Sequence, residues 1–195
     1  MKKAIVTVLL VLILSCLYAE KSAVPYVSLD GSSIDFLWND CLQTRIDLGV
    51  NFSSGFGISF PLTLLSDTTY SDVTLLDFGL FLNYRPFSDG FFVSVSLFQM
   101  GMYFGLDKPA QGNPYLNEVA FGYTWHVSSH LFLEPKLLIR DPSGVFQNEY
   151  DIISGVFPDY APVRFSVSLG WDFLAAPVPE TGGEESMRQE GETVQ

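Results

Sequence analysis

The residues of this chain that could do chemistry are few, and their spacing is their most informative property. Ten charged side chains, Arg45, Asp47, Asp77, Arg85, Glu118, Glu134, Lys136, Arg140, Arg164 and Asp172, fall among apolar neighbours, and those that share a segment lie an even number of positions apart. Successive side chains of a strand point to opposite sides, so even spacing collects each set on one face. Charges gathered that way can pair with one another or line a constriction that selects a solute, and both readings stay open here. Catalysis is not expected. The chain has two histidines, His126 and His130, no Gly-x-Ser-x-Gly, and no Ser, His and Asp whose positions promise convergence. Two histidines and two cysteines, Cys16 and Cys41, are too few for a metal site or a disulfide framework, so neither a metal nor a cofactor is expected.

The elements that must carry those charges are strands. Apolar residues alternate at Ile46, Leu48, Val50 and Phe52, and again through 56–64, 76–84, 91–97, 119–127, 131–139 and 163–173. A weaker stretch at 26–38 makes eight, an even number as a closed antiparallel barrel requires. Turns at 53–55, 86–90 and 128–129 are short, while the connections 39–43, 66–72, 105–117 and 141–162 are long. Pro61 and Pro135 lie inside strands, which predicts a local bulge at each, and the alternation slips near Phe98 and Gln99, which marks either a bulge or the point where the strand rises above the membrane.

Which face is wet follows from composition. Only 16% of the residues are charged while 48% are apolar. The ten charges share the face opposite the apolar one, which holds no basic residue. An eight-stranded barrel in water should show its charges outside; an uncharged exterior suits lipid, so the barrel is expected to be transmembrane. Phe52, Phe56, Tyr84, Phe91, Trp125, Trp171 and Phe173 lie on the apolar face near short turns or the last strand's end, the level of an interfacial aromatic girdle.

The N-terminus has Lys2 and Lys3, an uncharged apolar run over 4–14 and Leu17-Tyr18-Ala19 before Glu20, the pattern of a secretory signal peptide. Ile13-Leu14-Ser15-Cys16 leaves lipidation of Cys16 open. Removing 1–19 leaves 8 basic against 22 acidic residues, and no basic stretch that could neutralise phosphates, so nucleic acid is not an expected partner. The expected organisation is a signal peptide over 1–19, a barrel over 20–173 and an acidic, flexible tail over 174–195, too poor in apolar residues to fold.

Over 24–173 the pattern resembles the small outer-membrane barrels of bacteria with two membranes, the OmpX, OmpA-barrel and OmpW type. Its most specific piece is Ser166-Val167-Ser168-Leu169-Gly170-Trp171-Asp172-Phe173, which is similar to the terminal-strand signal read by the barrel-assembly machinery. The resemblance implies the bacterial outer membrane as location, outer-membrane lipid and that machinery as partners, short turns in the periplasm and long loops outside.

Because eight strands enclose room for little more than their own side chains, the charges are expected to fill the lumen in two layers. Arg85, Glu134 and Asp172 would lie low, and Arg45, Asp47, Asp77, Glu118, Arg140 and Arg164 high. The longest loop carries Phe146, Tyr150, Phe157 and Tyr160 among Asp141, Glu149, Asp151 and Asp159, a composition suited to a basic or protein partner such as a host or extracellular protein. The expected function is a non-enzymatic surface scaffold, adhesin-like through its loops. The alternative is a narrow OmpW-like channel for small hydrophobic solutes, lined by Phe81, Phe98, Met100 and Leu138.

Overall fold

The computed structural model describes residues 23–31, 41–67, 73–87, 90–105, 109, 112–157 and 160–174. The expected signal peptide over 1–19, Cys16, residues 32–38 of the expected first strand and all but the first residue of the expected acidic tail lie outside the described residues. The strands are β1 (Val24–Asp30), β2 (Cys41–Asn51), β3 (Phe56–Asp67), β4 (Val73–Tyr84), β5 (Phe91–Gly105), β6 (Glu118–Tyr123), β7 (Trp125–His126), β8 (Leu131–Arg140) and β9 (Val163–Asp172). Every neighbouring pair is antiparallel, and β1 pairs with β9 to close the sheet. Since β6 and β7 pair with β8 in one continuous register, they are two halves of a single strand interrupted at Thr124, and the barrel has eight strands.

The registers fix the geometry. A row of paired residues leaves Pro25 through Val50, Ile58, Leu82, Val95, Val119 and Ile139 and arrives at Val163. That is ten residues from Phe173, whose N–H bonds the Pro25 carbonyl at 2.9 Å. With this stagger, eight strands tilt by about 43°, within the usual range for closed barrels.

Three tight turns define the lower end. At 52–56, Gly55 takes a φ of +82° that favours glycine, and the Phe52 N–H reaches the Phe56 carbonyl at 2.8 Å. At the β7–β8 turn the Ser128 hydroxyl accepts from the Leu131 N–H at 3.0 Å. The third turn ends on Gly90, where a Cβ would lie 2.4 Å from the Thr124 carbonyl oxygen.

The strands run longer at their upper ends than the alternation indicated, beginning at Cys41 in β2 and Val73 in β4 and reaching Gly105 in β5. The slip near Phe98 is a bulge: Leu80 pairs with Phe98 but Phe81 with Ser96, leaving Leu97 extra. The prolines behave otherwise. Neither shifts a register, and both keep one neighbour, Pro61 opposite Asp47 and Pro135 opposite Val167. On the other side the ladder skips them, because the N–H that would cross to β4 or to the β6–β7 strand is missing.

The 141–162 connection contains a helix, α1 (Gln147–Val156), where a plain loop was expected. Phe146, Tyr150, Ile153 and Phe157 recur at helical intervals, a signal present in the sequence.

Candidate functional site

The candidate site is the barrel interior, which has three storeys. Its inner face alternates with an exterior that stays apolar: Leu48, Leu62, Trp125, Val163, Phe165 and Leu169 are exposed, while Asp47, Thr63, Glu134 and Ser168 beside them in sequence or register are buried.

The lowest storey is aromatic. Tyr26, Phe92 and Phe132 point inward and lie over Gly49, Gly122 and Gly170, their partners on the next strand. A Cβ on Gly170 would sit 2.0 Å from the Phe132 ring, and one on Gly49 or Gly122 would sit 2.5 Å from the ring it faces. Glycine is needed at these positions so that each ring can lie flat on its neighbour's backbone. Tyr26 meets Phe132 edge-on, with centroids 5.9 Å apart, and the Arg85 guanidinium lies 5.5 Å from the Phe92 centroid. Arg85 also donates to Asn51 Oδ1 and, at 3.4 Å, to the Thr124 hydroxyl.

The middle storey is charged. Glu118 lies 2.6 Å from Arg45 and 3.7 Å from Arg140. Arg45 lies 3.1 Å from Asp47, Asp47 lies 2.8 Å from Lys136, and Lys136 lies 3.9 Å from Glu134. Six side chains from β2, β6 and β8 thus form one connected chain of alternating sign. The expectation of two separate layers is corrected here, because Lys136 reaches down to Glu134 and across to Asp47 and so joins the levels. Glu134 accepts from the Thr124 hydroxyl at 3.1 Å, and Asp77 accepts from Gln99 Nε2 at 2.8 Å. Arg164 donates to Gln43 Oε1. Asp172 sits at the lower edge, 3.1 Å from His126 Nε2, a partnership that sequence reading missed. Both residues lie on inward positions of strands that share β8 as neighbour, but pairing across that strand depends on curvature that periodicity does not reveal.

The upper storey is apolar. Leu65, Val73, Leu75, Tyr103 and Leu116 turn inward just above Thr63, Asp77 and Glu118, and α1 and the chain after it fill the space between them with Tyr150, Ile153, Phe157 and Tyr160. The Tyr150 hydroxyl donates to the Asn117 carbonyl at 2.5 Å. Arg140 donates to the Ala161 carbonyl at 2.7 Å and lies 3.6 Å from the Tyr160 ring centroid. Burial pushes both phenols, Tyr150 and Tyr160, above the ordinary tyrosine range; in Tyr160 this prevails over the opposing pull of Arg140.

This placement corrects the expectation for the loop aromatics. Tyr150, Phe157 and Tyr160 are buried and Phe146 is partly buried against the same cluster, so their rings pack on the barrel and are not presented to a partner. The apolar path is corrected as well. Phe81 and Leu138 are buried inside, but Phe98 is exposed on the outer surface, and Met100 pairs with Phe78 on the same outward side.

The expected girdle residues Phe56, Tyr84, Trp125, Trp171 and Phe173 are exposed on the exterior near the short turns, with Phe52 and Phe91 partly covered beside them. Phe56 and Tyr84 stand 4.9 Å apart. At the other end Phe104, Tyr115 and Phe165 are also exposed, a second aromatic level that the sequence reading did not contain.

A void between Tyr26, Asn83, Arg85, Glu134 and Lys136 holds about 20 Å³, enough for a water molecule or so. No family model and no curated protein matches this chain.

Proposed function

We propose that this chain is an integral outer-membrane β-barrel with a closed lumen, a surface scaffold that displays a capped end. The observation that carries the reading is the inversion of the usual arrangement. Arg45, Asp47, Asp77, Glu118, Glu134, Lys136 and Arg140 are all buried inside, while the large exposed hydrophobic side chains ring the outside. Water would penalise that exterior, whereas the hydrocarbon of a bilayer does not. The height suits a membrane too. At about 43° of tilt each residue climbs about 2.4 Å along the barrel axis, so ten residues cover the ~25 Å apolar band of such barrels. Strands of 10 to 12 residues in β2, β3, β4, β8 and β9 meet that length, and the aromatic levels at both ends support the same placement.

In this reading the short turns face the periplasm, the capped end faces outward, and the barrel-assembly machinery inserts the chain through its last strand. The closed lumen argues for display over conduction. With the loop aromatics turned inward, an extracellular partner would meet the outer side of the cap, where Val145, Gln147 and Asp151 are exposed. Folding the mature chain into detergent micelles should give strand-rich circular dichroism and a heat-dependent gel shift, and reconstitution in a planar bilayer should give no steady conductance. A freely soluble monomer without detergent would sink the membrane reading. Steady single-channel openings would sink the closed one and favour a narrow channel.

A further inference from the structure

We propose that α1, with Phe146 before it and Phe157 and Tyr160 after it, is a lid, a separately releasable unit docked in the upper mouth of the barrel and pinned to the lumen by Arg140. This goes beyond the scaffold reading, which says that the end is closed and not that it can open.

Three observations converge. The first is that α1 has little stability of its own. Its 10 residues fall short of the ~12–15 at which an isolated helix becomes even marginal. Phe146 supplies no side-chain cap, the last turn has no basic residue, and Ile152, Ile153, Gly155 and Val156 are poor helix formers. The helix is ordered because Tyr150 and Ile153, with Phe157 after it, dock into the collar.

The second is that the lid is outside the hydrogen-bonded wall. Among the described residues no strand pairs with it. Arg140 links the charged chain to the lid: it closes the ion chain on Glu118, bonds the Ala161 carbonyl and stacks on Tyr160.

The third is the quality of the boundary. Where the apolar collar meets the charged chain, Asp77 Oδ1, Gln99 Oε1, Tyr103 OH and Tyr160 OH are buried without a hydrogen-bond partner among the described residues. Apolar burial holds the lid down, while unmet polar groups beneath it favour its departure, because an open mouth lets water reach them. Closed and open lids therefore differ by less than the buried hydrophobic surface alone would give.

The test is native-state proteolysis of the folded mature chain in detergent micelles with chymotrypsin, which cuts after Phe and Tyr. Phe146, Tyr150 and Tyr160 are shielded when the lid is docked and become sites when it lifts; Phe157 precedes Pro158 and is not cut. Arg140→Met should raise the rate of cleavage within 146–160 at least ten-fold, Arg140→Lys less, while the cut barrel keeps its heat-dependent gel shift. Should Arg140→Met fail to fold, Tyr160→Ala removes the stacking partner without touching a lumen charge and carries the same expectation. Ile153→Asp should expel the lid and leave the barrel intact. Cleavage at wild-type rate in the Arg140 or Tyr160 variant would overturn the pin. Loss of the gel shift in Ile153→Asp would overturn separability, since it would make the lid part of the barrel's own core.

Discussion

The two ends of the barrel are closed by different means. At the lower end Tyr26, Phe92 and Phe132 lie on glycines of directly paired strands. The floor is therefore built from wall residues, and removing it means taking strands apart. At the upper end the inward wall residues are themselves apolar, and a segment from outside the sheet fills the space between them. Cross-strand closure ties the floor to the register of the barrel, whereas closure by insertion leaves a seam. The charged chain between the two is anchored in the wall like the floor, yet its last member, Arg140, belongs to the cap as well.

The strongest way to break this comparison is at Glu118, which is 1% exposed and holds both Arg45 and Arg140. Glu118→Gln takes from Arg140 the carboxylate it faces and leaves Arg45 with Asp47 alone, and is expected to cost about 3–5 kcal/mol, read from the denaturant midpoint of the folded protein in micelles. If the variant loosened the lid and left the barrel midpoint unchanged, the charged chain would belong to the cap and not to the wall. A smaller effect is expected at the floor. Gly170→Ala places a methyl group 2.0 Å from the Phe132 ring, and overpacking of this kind costs about 1–3 kcal/mol. The clash disappears when Phe132 is also cut to Ala, so the double variant should be no less stable than Phe132→Ala alone, a departure from additivity that a double-mutant cycle measures. Simple additivity would mean that ring and glycine do not form the floor together.

The same contrast explains what could be read from the sequence. Period-two alternation fixes which side of a strand each residue occupies, so the side of the wall taken by the charged residues and by the aromatics near the short turns, and the strand count, were legible from local spacing. The bulge at Leu97 left its trace as two adjacent exposed apolar residues, Leu97 and Phe98. Pro61 and Pro135 were misread as bulges because a missing N–H interrupts pairing on one side only, and sequence does not tell which neighbour that N–H faces. The cap was misread for a different reason. Phe146, Tyr150 and Phe157 have the spacing of a buried helical stripe, but among acidic residues and without a cap they also suit an exposed binding loop. What decides is the apolar collar formed by Leu65, Leu75, Tyr103 and Leu116, residues from four separate stretches of chain. Their meeting is a property of the closed barrel, and the partnership of Asp172 with His126 was hidden in the same way.

Alkali gives the mildest test of the seam. Burial holds the Tyr150 and Tyr160 phenols above their ordinary range while the lid is docked; in an open lid they would ionise near the usual ~10. A group whose docked pKa is raised stabilises the docked state fully below the ordinary value and progressively less as pH climbs past it. Each phenol should therefore withdraw up to about 1.4 kcal/mol of docking free energy by about pH 11. Phenolate absorbance should show these two tyrosines ionising together as the lid lifts, reversibly, with strand circular dichroism unchanged. Tyr150→Phe should remove one of the two phenolates and roughly halve the steepness with which release depends on pH, whatever the loss of its bond to the Asn117 carbonyl costs at all pH. If instead the strand signal were lost in step with the phenolate gain, the cap would open only with the barrel, and the upper end would be as much a part of the wall as the floor.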